Sequence, residues 1–333
     1  MHWRQRFLIV LGIVISGAFL WFAFNGLNPQ LVWQYIRQAN VAWLLIGVVV
    51  FFISMVLIAW RWGFLLRGFG KIPLTYLSEL VSICYMGNNV YPLRAGEFLR
   101  IFLLQRDYRV PVARTTTTIF IERIFDGFTM LAFIVIPLRF IEIESPQLQT
   151  AVGLTTPLFA LALIVFLLLA FNPRLIRAAA QIGARFAPAA FKAPLLKLSE
   201  DVIAGMDSLR QPKYLLGMLV GTLATWLFNA AVYWVVGFAF QIQVSYWVML
   251  VATGAVNLAG VLPASPGQIG VFEFFVSLVL TAVGVPEAQA LAYAFGVHAV
   301  IWLPPTLLGF VLLIRRGLGL RALTGAHQAS ARV

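Results

Sequence analysis

Charged residues are scarce in this chain, which excludes an ordinary water-soluble globule. Only 11% of the 333 residues are Asp, Glu, Lys or Arg, whereas 61% are hydrophobic. Soluble domains carry about 25% charged residues. The apolar residues also form charge-free blocks, such as 7–24, 41–60 and 151–171, each about as long as a crossing of the hydrocarbon core requires. The sequence therefore predicts a multi-pass membrane protein.

Cysteine and histidine are scarce as well. A single cysteine, Cys84, excludes an intramolecular disulfide and a thiolate metal cluster. The three histidines, His2, His298 and His327, lie too far apart in sequence to form a local metal motif. Dinucleotide fingerprints, nucleophile elbows and zinc-protease motifs are also missing from the sequence. We therefore expect no metal, no cofactor and no catalytic residue.

The apolar blocks predict an all-α polytopic membrane protein. Six uninterrupted transmembrane helices are expected, at about 7–24, 41–60, 112–138, 150–171, 214–239 and 288–314. The first follows a basic start and has no small-residue cleavage site behind it, so we interpret it as an uncleaved signal anchor.

Two further apolar regions, about 74–106 and 245–283, share one pattern. In each, an apolar segment reaches an asparagine and then a proline, and a glycine, Glu-Phe and a second apolar segment follow. Proline and glycine interrupt helices and free backbone groups, which within a membrane must lie against protein or a wet cavity. We interpret each region as a broken hairpin, and we name them hairpin A (74–106) and hairpin B (245–283). The sequence leaves open whether they turn back or cross fully.

The order of elements predicts two inverted repeats within a single flippase-like membrane domain, 1–333. Repeat 1 covers about 1–140 and repeat 2 about 146–316, each with three crossings and one hairpin. Because three is an odd number, the second repeat enters the membrane upside down. Broken helices at matching positions of inverted repeats indicate a transporter site. Segment 174–213 is expected to be a cytoplasmic amphipathic piece of repeat 2.

The distribution of basic residues supports this topology. The net charge is +12, which could suggest nucleic-acid binding. With both termini placed in the cytoplasm, however, 20 of the 24 Lys and Arg residues fall on the inner side, as the positive-inside rule requires. Arg61 and Arg100 are counted among them. We therefore expect the lipid bilayer as the partner, no nucleic acid, and a bacterial-type inner membrane as the location.

Several charged residues fall where hydrocarbon is expected, and they define the candidate site. Each costs about 2.5–3.5 kcal/mol at the membrane centre, so they must be paired, protonated or hydrated. Glu122 and Asp126 share a helix face and repel each other, so either one of them holds a proton or an arginine lies between them, for which Arg94 is the candidate. Arg123 is expected to meet Glu97 or Glu273. The predicted substrate-binding residues are Asn89, Arg94, Glu97, Arg100, Glu122, Arg123, Asp126, Asn257, Gly267 and Glu273.

This network has two interpretations. It could simply hold the hairpins against the third span, or it could bind a lipid headgroup. The functional interpretation is favoured because half-helix N-termini at Gly96 and 267–270 present free N–H groups to anions, and arginines lie nearby. An anionic phosphate is then the expected ligand. His298, alone on an apolar span, is expected to be a hydrogen-bonded packing residue.

Three motifs in order resemble a known family, the lysylphosphatidylglycerol synthase transmembrane region, also called flippase-like integral membrane proteins. They are Asn89-x-x-Pro92-x-Arg94-x-Gly96-Glu97-x-x-Arg100, Glu122-Arg123-x-x-Asp126 and Pro263-x-x-Pro266-Gly267-x-x-Gly270-x-x-Glu273. The resemblance covers about 7–316 and implies lipid translocation. Relatives fused to a synthase domain move aminoacylated phosphatidylglycerol. No such soluble domain is found in these 333 residues, so the resemblance does not fix the lipid.

The sequence thus predicts a flippase that moves an anionic phospho- or glycolipid between leaflets. Two alternatives stay open. Paired carboxylates in a wet cavity could serve a membrane-embedded lipid-modifying transferase as acid and base, or the chain could be a non-catalytic scaffold for a lipid-synthesis partner. A homodimer, the transport direction and the coupling ion are also left open.

Overall fold

A computed structural model of the chain describes residues 3–91, 96–141, 172–206, 211–260 and 265–317, with five isolated positions between 157 and 168. The regular structure of these residues is helical. The helices are α1 (Trp3–Phe24), α2 (Pro29–Gln38), α3 (Val41–Leu65), α4 (Leu74–Val90), α5 (Gly96–Tyr108), α6 (Val112–Val135), α7 (Pro173–Phe186), α8 (Ala189–Met206), α9 (Pro212–Ala239), α10 (Tyr246–Ala259), α11 (Val271–Thr281) and α12 (Glu287–Arg315).

Three of these helices, α3, α9 and α12, are long and apolar enough to cross a membrane. Helices α1 and α2 are bent by 87° and could form a fourth, broken span. Helix α6 has 24 residues, enough for a crossing, but it carries Glu122, Arg123 and Asp126. Each of the predicted spans 7–24, 41–60, 112–138, 214–239 and 288–314 therefore coincides with a helix. The predicted span 150–171 lies almost wholly outside the described residues.

Helix α2 was not predicted. It begins after Asn28, whose side chain accepts a hydrogen bond from the Gln30 backbone N–H, and it has Pro29 in its first turn. An asparagine cap followed by proline is a typical helix start. Helix α2, with ten residues, is too short and too polar for a membrane span, so hydropathy alone does not predict it.

Helix α12 is the central element of the bundle. It packs against α2, α3, α4, α9 and α11, and α3 packs along α9. The apolar core lies where these helices meet and includes fully buried Trp62, Leu80, Met86, Tyr293 and Val297.

Hairpin A consists of α4 and α5, which pack against each other on either side of residues 91–95. The contact is close at Gly96, where a Cβ atom would overlap the Cys84 carbonyl oxygen, and the Gly96 N–H donates to Asn88 Oδ1 at 3.0 Å. At this break, Asn89 Nδ2 donates to the Trp302 carbonyl and to Thr306 Oγ1. The opposite ends of α4 and α5 lie beside the C-terminal end of α12, where Arg316 contacts Glu79 and Asp107.

Hairpin B consists of α10 and α11, separated by a short 3₁₀ turn at Pro266–Gln268. At this break, the Gly267 carbonyl lies 2.8 Å from His298 Nε2 of α12. The opposite end of the hairpin lies near the C-terminal end of α6, where Trp247 stacks on Phe140 with ring centroids 4.6 Å apart.

Both helix breaks reach the same level of α12. Their contacts fall at residues 298, 302 and 306. At about 1.5 Å per residue, Trp302 lies roughly 22 Å from the start of α12 and roughly 20 Å from its end. The breaks that proline and glycine predicted are thus helix interruptions, and both lie about halfway along the longest helix.

Candidate functional site

A cavity of about 440 Å³ lies where the two helix breaks meet. Its wall is formed by α3, α4, α5, α6, α9, α10, α11 and α12 and by the turn of hairpin B. Aromatic and aliphatic residues form part of the wall, and polar and charged side chains form the rest. The polar side chains include Arg61, Asn88, Asn89, Glu97, Arg100, Arg123, Asp126, Asn229, Asn257, Gln268 and His298.

The structure brings most of the predicted site residues to this cavity. Those that line it are Asn89, Glu97, Arg100, Arg123, Asp126, Asn257 and Gly267. Glu122 is fully buried and lies behind the wall, bound to two arginines. Glu273 is also buried and lies behind the turn of hairpin B. Arg94 lies outside the described residues.

The arginine described between Glu122 and Asp126 is Arg61, which was counted among the residues beside the membrane. The arginine expected in this place, Arg94, lies outside the described residues. Arg61 is buried, with Nε 3.4 Å from Glu122 Oε1. Its Nη1 and Nη2 bind the two carboxylate oxygens of Asp126 at 2.5 and 3.1 Å. This bidentate geometry is typical of a guanidinium, and the positive charge of Arg61 offsets the repulsion between the Glu122 and Asp126 carboxylates.

Arg100 is the second buried arginine, and it too was counted on the inner side. Its Nη2 donates to Glu122 Oε2 at 2.8 Å, and its guanidinium lies 3.5 Å above the Trp62 ring. The Trp62 indole N–H in turn donates to Thr118 Oγ1. A guanidinium is weakly hydrated and stacks on aromatic faces, so Arg100 is well suited to this buried position.

Arg123 differs from these two arginines. Its nearest carboxylate contacts are 3.6 Å to Glu97 and 3.5 Å to Asp126, both longer than a normal hydrogen bond. Its side chain is 44% exposed, whereas the Arg61 side chain is 1% exposed. The expected proximity of Arg123 and Glu97 is confirmed. Among the three arginines described in this cluster, Arg123 has the most hydrogen-bonding capacity available to a ligand.

The described cluster is balanced in charge. Arg61, Arg100 and Arg123 face the carboxylates of Glu97, Glu122 and Asp126, and Asp126 also accepts a 2.7 Å bond from the Trp226 indole. Ion pairing of this kind makes buried charge tolerable, because each charge is compensated by its neighbours. Glu122 and Asp126 are thereby committed to arginines.

Several residues of the cavity were not predicted from the sequence. The burial of Arg61 is indicated in the sequence by the apolar run that continues beyond it to Leu66. Helix α9 contains a second indication. Its Thr222, Trp226, Asn229 and Tyr233 recur at spacings of three and four, so one polar stripe faces the interior. Absence of charge in 214–272 concealed that stripe.

His298 is hydrogen-bonded, as expected. Its Nδ1 lies 2.5 Å from Glu273 Oε1, and Phe272 stacks on its ring at 4.4 Å. Glu273 therefore does not meet Arg123, which was the alternative to Glu97. The second oxygen of Glu273 accepts a bond from the Gly270 N–H at the start of α11.

Long apolar helices around a charged interior cavity define an integral, multi-pass membrane protein. Residues 9–309 match the model of the family described as lysylphosphatidylglycerol synthase TM region. The chain belongs to that family, and the resemblance seen in the three motifs is confirmed.

Three curated relatives share modest identity with the chain. Glycosyltransferase AglD of Haloferax volcanii is 23% identical over 327 residues, which cover 89% of this chain but only 52% of that protein. The chain therefore spans about half the length of this relative. UPF0104 membrane proteins of Pyrococcus horikoshii and Methanocaldococcus jannaschii are 21% and 22% identical, and the matches cover 97% and 96% of their lengths.

Proposed function

We propose that the chain is a flippase that moves an anionic phospho- or glycolipid between leaflets. The observation that carries this proposal is Arg123, a partly exposed guanidinium in a cavity at mid-height of the bundle. An arginine placed there binds a phosphate or carboxylate through several N–H groups at once. The lipid headgroup would enter the cavity while its tails stay in the bilayer.

Two inverted repeats, about 1–140 and 146–316, form the framework of the proposal. Hairpin A has its open end beside the end of α12 and hairpin B beside the end of α6, and their breaks meet at the cavity. Hairpins that enter from opposite faces are what inverted repeats require. Both termini would lie in the cytoplasm of a cell with a bacterial-type inner membrane, and one repeat would rock against the other.

The cavity is of suitable size for a headgroup. Small-molecule sites commonly measure about 300–1,000 Å³, and this one measures about 440 Å³. Arg123, Asn89 and Asn257 would bind the headgroup, whereas Arg61, Arg100, Glu122 and Asp126 would position the walls. Glu97 would be displaced from Arg123 when the anion arrives, since their contact is loose.

A membrane-embedded transferase is the second candidate, favoured by the name of the relative Glycosyltransferase AglD. The geometry gives it less support. A general acid or base must exchange its proton freely, but Glu122 and Asp126 are held by arginines. Since the chain spans half of AglD, the activity in that name need not reside in the matched half. A scaffold for a lipid-synthesis enzyme, or a homodimer, would also leave these ion pairs in place.

Proteoliposomes that carry a fluorescent anionic lipid test the proposal. We expect Arg123→Gln to slow exchange of the lipid between leaflets about tenfold or more, because a hydrogen bond to a charged group contributes about 1.5–3 kcal/mol. Arg139→Gln, a matched change at an exposed position in the 3₁₀ turn after α6, should leave exchange unchanged. Equal exchange rates in wild type and Arg123→Gln would contradict the proposal. A covalently altered lipid without exchange would favour the transferase.

A further inference from the structure

Hairpin B is joined to α12 by a network that the headgroup site does not use. His298 Nε2 lies 2.8 Å from the Gly267 carbonyl, and His298 Nδ1 lies 2.5 Å from Glu273 Oε1. The other oxygen of Glu273 accepts a 2.6 Å bond from the Gly270 N–H. The side chains of His298 and Glu273 are only 10% and 2% exposed. The network therefore joins both sides of the turn to the central helix.

The donors and acceptors of this network can be assigned from chemistry alone. A backbone carbonyl only accepts, so His298 Nε2 must carry a hydrogen toward Gly267. Gly270 supplies its own hydrogen to Glu273 Oε2. A contact of 2.5 Å between His298 Nδ1 and Glu273 Oε1 then needs one more proton between the two atoms. Without it, a nitrogen lone pair would face a carboxylate oxygen.

We propose that His298 and Glu273 form a single proton-binding site whose occupancy fixes the turn of hairpin B. This inference rests on the proposed function, because it names the ion that lipid movement would be coupled to. The proton is shared as imidazolium and carboxylate, or as imidazole and carboxylic acid. It leaves as a hydrated proton into the cavity, which His298 lines, and no covalent bond between heavy atoms changes.

Other titratable groups lie near but do not contact the imidazole. The elements packed around this part of α12 contribute Arg61 of α3, Cys84 and Tyr85 of α4, and Tyr233 of α9 to the same cavity. Phe272 covers one face of the His298 ring. Among the described side chains that contact His298, Glu273 is the titratable one, so the proton is assigned to this pair.

Loss of the proton would affect the contacts of both hairpins with α12. Gly270 has a φ of +91°, and a Cβ there would overlap the Ser16 carbonyl oxygen, so the turn has little room to relax around its present position. One turn along α12 from His298, the Trp302 carbonyl accepts a bond from Asn89 of hairpin A. A shift of α12 at His298 therefore reaches both breaks, which is the coupling that alternating access needs.

The first test measures proton binding without any transport. Apparent melting temperatures of the full chain in detergent are recorded from about pH 5 to about pH 9, which covers the range of imidazole titration. A proton held only by the folded state lowers the folding constant by up to about tenfold per pH unit as it is withdrawn. We expect the wild-type melting temperature to fall as the pH rises.

The variant Glu273→Gln distinguishes the pH dependence caused by this proton from that caused by other titratable groups. The glutamine amide can accept from Gly270 and donate to His298 Nδ1, so it imitates the protonated pair permanently. Its melting temperature should stay level where that of the wild type falls, and Glu287→Gln at the exposed start of α12 should behave as wild type. A wild-type slope in Glu273→Gln, or a level wild-type curve, would overturn the proposal.

A second measurement uses only the wild-type protein, so it does not depend on whether a variant folds. Nitrogen NMR of the wild type labelled in its three histidines reads proton loss at each ring nitrogen. We expect one buried ring to change over the pH range in which the melting temperature falls. A buried histidine whose nitrogen shifts stay constant there would contradict the proposal.

Lipid exchange then tests the coupling. In proteoliposomes, an imposed pH difference should bias the direction of exchange in the wild type and leave Glu273→Gln unbiased. Exchange with no bias in the wild type would overturn proton coupling while the flippase proposal stands. If no exchange occurs at all, the flippase proposal fails, and the melting and NMR results decide the proton site by themselves.

Discussion

Arg61 shows how a charged residue can be part of the core of a membrane protein. An isolated buried ion would be expelled or neutralised, but Arg61 has Glu122 on one side and both oxygens of Asp126 on the other. Gly221 of α9 allows the close approach, since a Cβ at that position would press on Arg61. The side chain thus joins α3 to α6 beside α9.

Removal of Arg61 should be costly. We expect Arg61→Ala to destabilise the protein by about 3–5 kcal/mol, because it leaves Asp126 and Glu122 buried together without their counterion. Denaturant unfolding in micelles measures the change. Arg67→Ala, an exposed arginine on the turn after α3, serves as the control and should cost less than about 1 kcal/mol. Similar losses in the two variants would show that Arg61 is not a structural ion.

The acidic half of this cluster is easier to predict from the sequence than the basic half. Glu97, Glu122 and Asp126 interrupt long apolar runs, and hydropathy marks such interruptions directly. Arg61 was counted only with the inner loops because it lies near one end of an apolar segment, whereas Arg100 was counted there and was also among the predicted site residues. Their burial is decided by partners on other helices, and no local pattern reports such partners.

At the scale of elements, the two helix breaks were the most predictable feature. Proline removes a backbone hydrogen bond and glycine weakens a helix, so local chemistry favours the interruptions near 92 and 266. The position of each break along α12 could not be predicted, because it depends on contacts such as Asn89 with Thr306 and Gly267 with His298. Helix α2 was missed because it is short and polar.

The packing of hairpin A depends on Gly96. We expect Gly96→Ala to destabilise the protein by about 1–3 kcal/mol, since the new Cβ would overlap the Cys84 carbonyl oxygen and force α4 and α5 apart. Thermal unfolding measures the effect. Gly127→Ala on α6 is a matched control in open space, where alanine should stabilise the helix by about 0.5–1 kcal/mol. Equal behaviour of the two variants would contradict the close packing.

The ends of α4, α5 and α12 are joined by an ionic cluster with a definite pH response. Partial burial alone would raise the pKa of Asp107, but hydrogen bonds from Arg106 and Tyr76 and the charge of Arg316 hold it below its usual value. A carboxyl group whose pKa is lower in the folded state stabilises the fold at pH values above its unfolded-state pKa. This contribution disappears as the pH falls below about 4.

Asp107→Asn should therefore lower stability near neutral pH by about 1 kcal/mol or less, as expected for a partly exposed pair. Below about pH 3 the difference from wild type should shrink, because the wild-type carboxyl is then protonated as well. Melting curves at several pH values measure this, and Glu287→Gln at the other end of α12 provides the reference. A difference that grows on acidification would contradict the assigned sign.

On the scale of the whole molecule, the sequence predicted an all-helical membrane protein and its family, and both predictions are confirmed. Low charge and long apolar runs decide the first, and three ordered motifs decide the second. The inverted arrangement of repeats 1–140 and 146–316 stays a prediction, as does the orientation of the termini. Symmetry between repeats is a relation between segments that are distant in sequence, and the predicted span 150–171 lies almost wholly outside the described residues.

Water access to the cavity tests the central claim most directly. In a Cys84→Ala background, which removes the single cysteine, one cysteine is introduced at Asn257 in the cavity wall or at Val220 on the outer face of α9. A membrane-impermeant, water-soluble thiol reagent should label position 257 and not position 220, although Val220 is 47% exposed. An anionic lipid should slow labelling at 257. Labelling of 220 with 257 unreactive would contradict a hydrated headgroup cavity.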